Sequence, residues 1–234
     1  MAGLFLNRRA FNLVASVYDQ LTDQKIWAEQ SRKVLSYVPS GTSPMRVLDI
    51  GCGPGGSTFA LASALPPETE IWGVDYAEAM VQRACLHQNR KYSQYDQLRF
   101  QVGDATQLQF DDQFFDLIVG HSFLYLVPDP LAVLQELRRV LRPMGTAVLM
   151  EPVQGGRLWS AAKERFGVPE HTRKVTAQTL RFWTSMLTWR WFSTIEGRWD
   201  QDDLVTLFRR AQFSHVDTHP TLGGLGIHCV GRPR

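Results

Sequence analysis

The chain has 234 residues, 44% of them hydrophobic and 21% charged, the composition of an ordinary globular protein of one or two domains. Disorder, collagen and a disulfide- or metal-stapled mini-protein are excluded, because a chain of this length buries roughly 70% of its unfolded surface. Twenty-five Lys and Arg against 23 Asp and Glu leave a net charge of +2, too little to indicate a nucleic-acid partner through counterion release.

The opening apolar residues, Met1 to Leu6, are interrupted by Asn7, Arg8 and Arg9 before a signal-type region accumulates, so no secretion is expected. No run of about 18 apolar residues occurs anywhere, and at most such a chain touches a membrane surface. Phe11, Val14, Ala15, Tyr18 and Leu21 recur at helical spacing, and a second helix is predicted from about Ile26 to Val38, ending at the Pro39 to Pro44 breaker. From Met45 short apolar runs alternate with amphipathic segments. Strands are predicted at Arg46 to Ile50, Glu70 to Val74, Arg99 to Val102, Phe114 to Val119 and Ala147 to Met150, and helices at Ser57 to Ala64, Ala77 to Asn89 and Leu131 to Leu141. That alternation implies a parallel, doubly wound α/β sheet.

The last quarter breaks the rhythm. Asp200 can cap a helix with Leu204, Leu207, Phe208 and Ala211 on one face. Phe213 to Asp217 and Ile227 to Val230 then read as an antiparallel pair, with Gly223, Gly224 and Gly226 in the turn. Between Glu151 and Asp200 lies an insertion holding Trp159, Phe166, Phe182, Trp183, Trp189, Trp191, Phe192 and Trp199. The resulting division is one domain in four segments: an N-terminal helical cap (1–44), a core (45–152), an aromatic-rich substrate-side insertion (153–199) and a C-terminal helix and hairpin (200–234). Cys52, Cys85 and Cys229 have neither C-x-x-C nor zinc spacing, so they read as reduced thiols of a cytoplasmic protein, and no metal site is expected.

Val47 to Gly56 reads Val-Leu-Asp-Ile-Gly-Cys-Gly-Pro-Gly-Gly where the first strand turns into a helix. Glycine permits a tight turn and lets a ligand approach the backbone. Gly51, Gly53 and Gly56 satisfy G-x-G-x-x-G, and Asp75 falls 24 residues after the first glycine, so by spacing alone a dinucleotide fits. Asp49 argues for another ligand, since a carboxylate two residues before the first glycine would face a pyrophosphate's negative charge. S-adenosylmethionine has an ammonium, a sulfonium and no phosphate, and its ribose diol suits a carboxylate acceptor such as Asp75.

These residues resemble the class I S-adenosylmethionine-dependent methyltransferases. Val47 to Gly55 is similar to the family's first motif, Gly73-Val-Asp75 to its ribose-binding acid, and Gly103-Asp-Ala105 to its adenine-side motif. Phe115 to Val119 and Leu141 to Thr146 resemble the fourth strand and the turn into the fifth. The resemblance implies a Rossmann-like, seven-stranded, mostly parallel sheet with the last strand antiparallel and helices on both faces. It implies further that Asp49 and the Gly51 backbone, beside Gly53, hold the methionyl ammonium. Asp75 would take the ribose, Tyr76 and Met80 the adenine faces, and Asp104 and the Ala105 N–H the adenine edge; Tyr76 and Met80 read equally as packing.

Gly120-His-Ser-Phe-Leu-Tyr125 follows the fourth strand and, in that family, lies beneath the transferable methyl. His121 reads either as a general base or as a hydrogen-bond partner of backbone or cofactor, with Ser122, Tyr125 and Glu151 as further acceptor-side candidates. An Asp/Asn-Pro-Pro-aromatic motif and a Pro-Cys nucleophile are absent, and so is a nucleic-acid module, which leaves a small molecule methylated on oxygen or carbon. Phe11 to Asp19 resembles the N-terminal helix of the quinone C-methyltransferases of ubiquinone and menaquinone synthesis, implying that Tyr18 reaches the cofactor's carboxylate end; it also resembles that of the malonyl carrier-protein methyl ester synthases. Trp183 and Trp191 are candidate walls for an apolar or ring-bearing acceptor, or ordinary core. Arg157 to Arg210 carries ten Lys or Arg against six acids, which suits an anionic acceptor, an anionic membrane surface or a solvated face. Two other classes fit the glycine loop: a non-catalytic S-adenosylmethionine sensor or accessory subunit, and an NAD-dependent oxidoreductase.

Overall fold

The computed structural model describes residues 25–39, 46–166 and 177–233. Tyr18 and the predicted helix from Phe11 to Leu21 lie outside the described residues. Seven strands form one sheet in the order β3-β2-β1-β4-β5-β7-β6. They are β1 (Arg46–Ile50), β2 (Glu70–Asp75), β3 (Leu98–Val102), β4 (Phe115–His121), β5 (Leu141–Pro152), β6 (His215–Thr221) and β7 (Gly226–Arg232). Neighbours pair in parallel from β3 through β5, while β7 runs antiparallel to both β5 and β6. The expected doubly wound sheet with an antiparallel final strand is therefore present.

The helices are α1 (Lys25–Lys33), α2 (Gly56–Ala62), α3 (Glu78–Lys91), α4 (Pro130–Val140), α5 (Leu158–Phe166), α6 (Ala177–Glu196) and α7 (Gln201–Arg210). Strand alternation sends Val47, Leu117, Val119, Val148 and Val230 to one face, under α2 and the 3-10 turn Val34–Tyr37. Leu48, Ile50, Ile118, Ala147 and Leu149 go to the other, under Leu134 and Leu137 of α4 and Leu204 and Phe208 of α7. Central strands covered on both faces read as continuous apolar runs, which is why they were visible in sequence. As expected, Asp200 caps α7, its carboxylate accepting from the Asp202 N–H at 2.9 Å.

Several boundaries differ from the sequence reading, among them the start of β6 at His215 and not Phe213 and the end of the first described α-helix at Lys33 and not Val38; three further differences arise through pairing. β5 begins at Leu141, opposite Phe115, and skips residues before Thr146 meets Leu117, so Leu141 is strand rather than the end of a helix. β6 runs on to Thr221 through Pro220, a residue tolerated because β6 is an edge strand. β4 extends through Gly120 to His121, so His121 is the last ladder residue, paired with Met150, and not a loop residue.

The insertion leaves the sheet and returns at one point. Val153 and Trp199 form a parallel bridge, with Trp199 N–H donating to Pro152 O at 3.1 Å and Gln154 N–H to Trp199 O at 2.9 Å. Arg190 of α6 donates to the carbonyls of Val153 and Gly155 at 3.0 and 2.7 Å. α5 packs backbone to backbone on the β6–β7 connection, where a Cβ on Gly223 would lie 2.2 Å from the Ala161 nitrogen.

Candidate cofactor and acceptor site

The carboxyl ends of β1, β2 and β3 bring three acids to one sheet edge, on strands about 4.8 Å apart. Asp49 is fully buried. Its Oδ2 accepts from Ser57 Oγ at 2.5 Å and Thr58 Oγ1 at 2.6 Å, the two hydroxyls coming from the first turn of α2. Its Oδ1 is buried without a partner. Burial pushes the Asp49 carboxyl up to about 6 against the pull of the two hydroxyls, and Asp75 adds to the rise. A buried acid with one oxygen unmet and a second acid nearby is costly alone and favourable beside a cation.

The glycine loop is tied to both acids. Gly51 and Cys52 N–H groups donate to Val74 O at 2.8 and 3.1 Å, so neither N–H is left for a ligand. Gly53 N–H donates to Asp75 Oδ2 at 2.9 Å and Ala77 N–H to Asp75 Oδ1 at 2.8 Å. A carboxylate has about four acceptor positions, so each Asp75 oxygen keeps capacity for a hydroxyl. Gly51 sits at φ +68°, and a Cβ there would be 2.8 Å from Phe123 Cβ. Phe123 thus closes over the glycine loop, and a Cβ on Gly120 would meet its ring at 2.6 Å. Sequence reasoning missed Phe123; the glycine at 120, just ahead of it, was the available signal.

At the third strand, Asp104 is exposed and its Oδ1 accepts from the N–H and hydroxyl of Thr106 at 2.8 and 2.7 Å. The connection beyond it is held against α4. Arg139 donates to Leu108 O, Phe110 O, Asp112 and Glu136, and Glu136 accepts from Leu108 N–H at 2.6 Å. Ala105 is half-buried against the α4-side core. Tyr76 stands 54% exposed at the rim, whereas Met80 is buried in a small cluster with Ala77, a packing position.

On the acceptor side, Ser122 has φ +55°, a left-handed conformation uncommon outside glycine and Asn or Asp. Its N–H donates to Met150 O at 2.7 Å and its hydroxyl accepts from the Trp189 indole N–H at 3.0 Å. Trp189 in turn stacks edge-on against Trp27 of α1, whose indole donates to Ser185 Oγ at 3.0 Å. Trp183 is part-buried in the same cluster, with Ile26, Phe182 and Met186. Trp191, expected as an acceptor contact, is placed elsewhere. It lies two residues from Trp189, about 200° around the helix, and is 60% exposed on the outer face.

Glu151 also has a different task from the one expected. It is fully buried and accepts from the N–H groups of Phe123, Leu124 and Tyr125 at 3.2, 3.0 and 3.4 Å. It therefore fixes the loop after β4 from behind, and Tyr125 is a half-buried member of that loop. Burial pushes the Glu151 carboxyl up to about 7 despite these donors. Glu151→Ala should cost about 2–4 kcal/mol in urea unfolding, because three buried donors lose their acceptor, whereas Glu151→Gln should cost less.

His121 ends β4 with both ring nitrogens buried and neither in a hydrogen bond of ordinary geometry, the Gln30 backbone lying near the ring. Burial lowers it to about 4, an effect offset in part by the Gln30 backbone. The register continues across the sheet: His121 pairs with Met150, Met150 with His228 and His228 with His219. His228 Nδ1 is 3.0 Å from Tyr37 Oη, its Nε2 is buried without a partner, and burial lowers it to about 3. His228 alternates with Val230 and so faces the covered side of β7, a signal that was readable in sequence and overlooked. The three cysteines are free thiols, and among the described residues no cluster of three His, Cys, Asp or Glu is arranged for a metal.

Comparison with known proteins agrees with this geometry. The family described as Methyltransferase domain matches residues 42–212. A demethylmenaquinone methyltransferase of Bacillus licheniformis is 29% identical over 96% of this chain and 95% of its own length. One of Staphylococcus aureus is 33% identical over 62% of this chain and 60% of its own length. A SAM-dependent methyltransferase crystal structure from Aquifex aeolicus superposes with a TM-score of 0.65 at 15% identity, covering 93% of this chain and 97% of that one. The acids at the strand ends, the glycine loop and the match over residues 42–212 together place this chain in the Methyltransferase domain family, as a class I S-adenosylmethionine-dependent methyltransferase.

Proposed function

We propose that this enzyme methylates a ring carbon of a small, largely apolar acceptor of the quinol type. The observation that carries the reading is the aromatic pair of Trp189, bonded to Ser122 in the loop after β4, and Trp27, edge-on against it, with Trp183 in the same apolar cluster as Met150, on the sheet face that carries His121 and His228. The name carried by both relatives, demethylmenaquinone methyltransferase, supports the same acceptor class. Flat rings gain from burial against aromatic side chains, and polar substituents would satisfy imidazole nitrogens that are otherwise in no hydrogen bond of ordinary geometry. The N-terminal segment 1–44 and the insertion 153–199 form the cover in this reading, with Tyr18 over the cofactor.

The residues of the glycine loop fit the cofactor. Asp49 Oδ1 and the Gly51 carbonyl would hold the ammonium, Asp75 the ribose diol, and Asp104 with the Ala105 N–H the adenine edge; Tyr76 would cover one adenine face. When bound, S-adenosylmethionine supplies an electrophilic methyl carbon on a sulfonium. The chain's own contribution is to align the acceptor carbon and exclude water. Ser122 and Tyr125 would set the acceptor's position through the loop that Glu151 anchors. His121, neutral near pH 7, would take the proton that leaves an acceptor hydroxyl as the ring carbon becomes nucleophilic.

The test is methyl transfer from labelled cofactor to a short-chain 1,4-naphthoquinol lacking the ring methyl, with the product bond located by NMR. A C–CH₃ product supports the proposal; an O–CH₃ product or no transfer overturns it. Asp75→Ala should weaken cofactor binding by about 10- to 100-fold in calorimetry, because a diol loses a charged acceptor.

A further inference from the structure

α6 presents an unusual outer face. Its exposed described residues are Leu180, Thr184, Leu187, Trp191, Thr194 and Ile195, a stripe at spacings of three and four with no charge among them. Leu180 is 62%, Leu187 52% and Trp191 60% exposed. A helix on a protein surface ordinarily turns charged residues outward, and contiguous exposed apolar area of this kind marks an interaction site. Arg190 does not relieve it, since its guanidinium folds back onto the carbonyls of Val153 and Gly155. Trp159 of α5 is a further exposed indole in the same insertion.

Charge identifies the occupant. Residues 157–198 hold eight Lys and Arg against three acids, a net +5, while the rest of the chain carries a net −3. A second copy seated symmetrically on this face would bring like charge together, since Arg157 and Lys163 stand exposed on the same insertion. An anionic lipid surface satisfies both features, because interfacial helices combine an apolar face bearing Trp and Leu with basic residues that meet anionic headgroups. Among the described residues no helix is long and apolar enough to cross a membrane, so the contact is with the surface.

We propose that the insertion docks on anionic bilayers, with the outer face of α6 lying in the interfacial plane and Leu187 and Trp191 among the headgroups. The inner face of the same helix carries Trp189, bonded to Ser122. The bilayer would therefore lie about one helix diameter, roughly 10 Å, from the loop after β4. If the acceptor is the proposed quinol, it would enter directly from the membrane.

The test is sedimentation of the full chain with vesicles of phosphatidylcholine alone or with about 30% phosphatidylglycerol. Binding to the anionic vesicles should be at least about tenfold tighter, and should fall steeply between about 0.05 and 0.5 M NaCl. The double variant Leu187→Glu, Ile195→Glu should lose about tenfold or more of that binding while its calorimetric affinity for S-adenosylmethionine stays unchanged, which shows that it is folded. Failure to bind either vesicle overturns the proposal, as does binding the double variant leaves unaltered or a dimer that the double variant splits. Vesicle binding without transfer to any quinol would overturn the acceptor class and leave the docking surface standing.

Discussion

Replacing Asp49 by Asn should do two opposite things: weaken S-adenosylmethionine binding by about 100-fold or more and make the cofactor-free protein more stable. The first follows from a cationic ligand losing a buried, charge-bearing hydrogen-bond partner. The second follows from burial. Asp49 is raised from 3.8 to about 6, so its charged form is disfavoured in the folded state by at most about 3 kcal/mol. A carboxyl raised on folding contributes stability at low pH, and that contribution is lost as pH climbs from about 4 through about 6. The variant's gain over the parent, of about 1–3 kcal/mol, should therefore appear at pH 7.5 and shrink toward nothing near pH 4. Asn can still accept from Ser57 and Thr58, so the loop is kept. Cofactor affinity of the parent should rise with pH through about 6, as Asp49 ionises. Thermal melts and calorimetry at both pH values decide the matter; equal stability at pH 7.5 with unchanged affinity would remove Asp49 from the ammonium site.

Such trade-offs explain which parts of this protein were legible in its sequence. The central strands and the glycine loop were readable because their chemistry is local: apolar runs covered on both faces, and glycines where φ is positive at Gly51, Gly53 and Gly55. Asp49, Asp75 and Asp104 were legible because each lies at or within two residues of the carboxyl end of a strand. What escaped was non-local. Glu151 looked like an acceptor-side acid until its three backbone donors, 26 to 28 residues earlier, came into view. Trp191 and Trp189 look alike in sequence, and only the packing of α6 against α1 separates the inner indole from the outer one. His228 acquires its meaning from register, since it shares a row with His121 only because β5 lies between their strands.

His121 is where the largest kinetic effect is expected. If it serves as the base, His121→Ala should lower kcat by about 10²- to 10⁴-fold with cofactor affinity nearly unchanged; a merely packed or cofactor-orienting imidazole would instead lower stability or affinity. The pH profile separates the candidates. Burial lowers His121 to about 4, so it is neutral and able to accept a proton throughout the range above about pH 5. Its acid limb should fall near 4 rather than near the 6.5 of a free imidazole. Glu151, raised to about 7, would give a limb near neutrality if the charge that anchors the loop were what the reaction needs. A rate that is level from pH 6 to 8 and drops only below about 5 assigns the limb to His121. A drop between 8 and 6 that disappears in Glu151→Gln assigns it to Glu151, with the loop, and not the imidazole, as the group whose ionisation the rate reports.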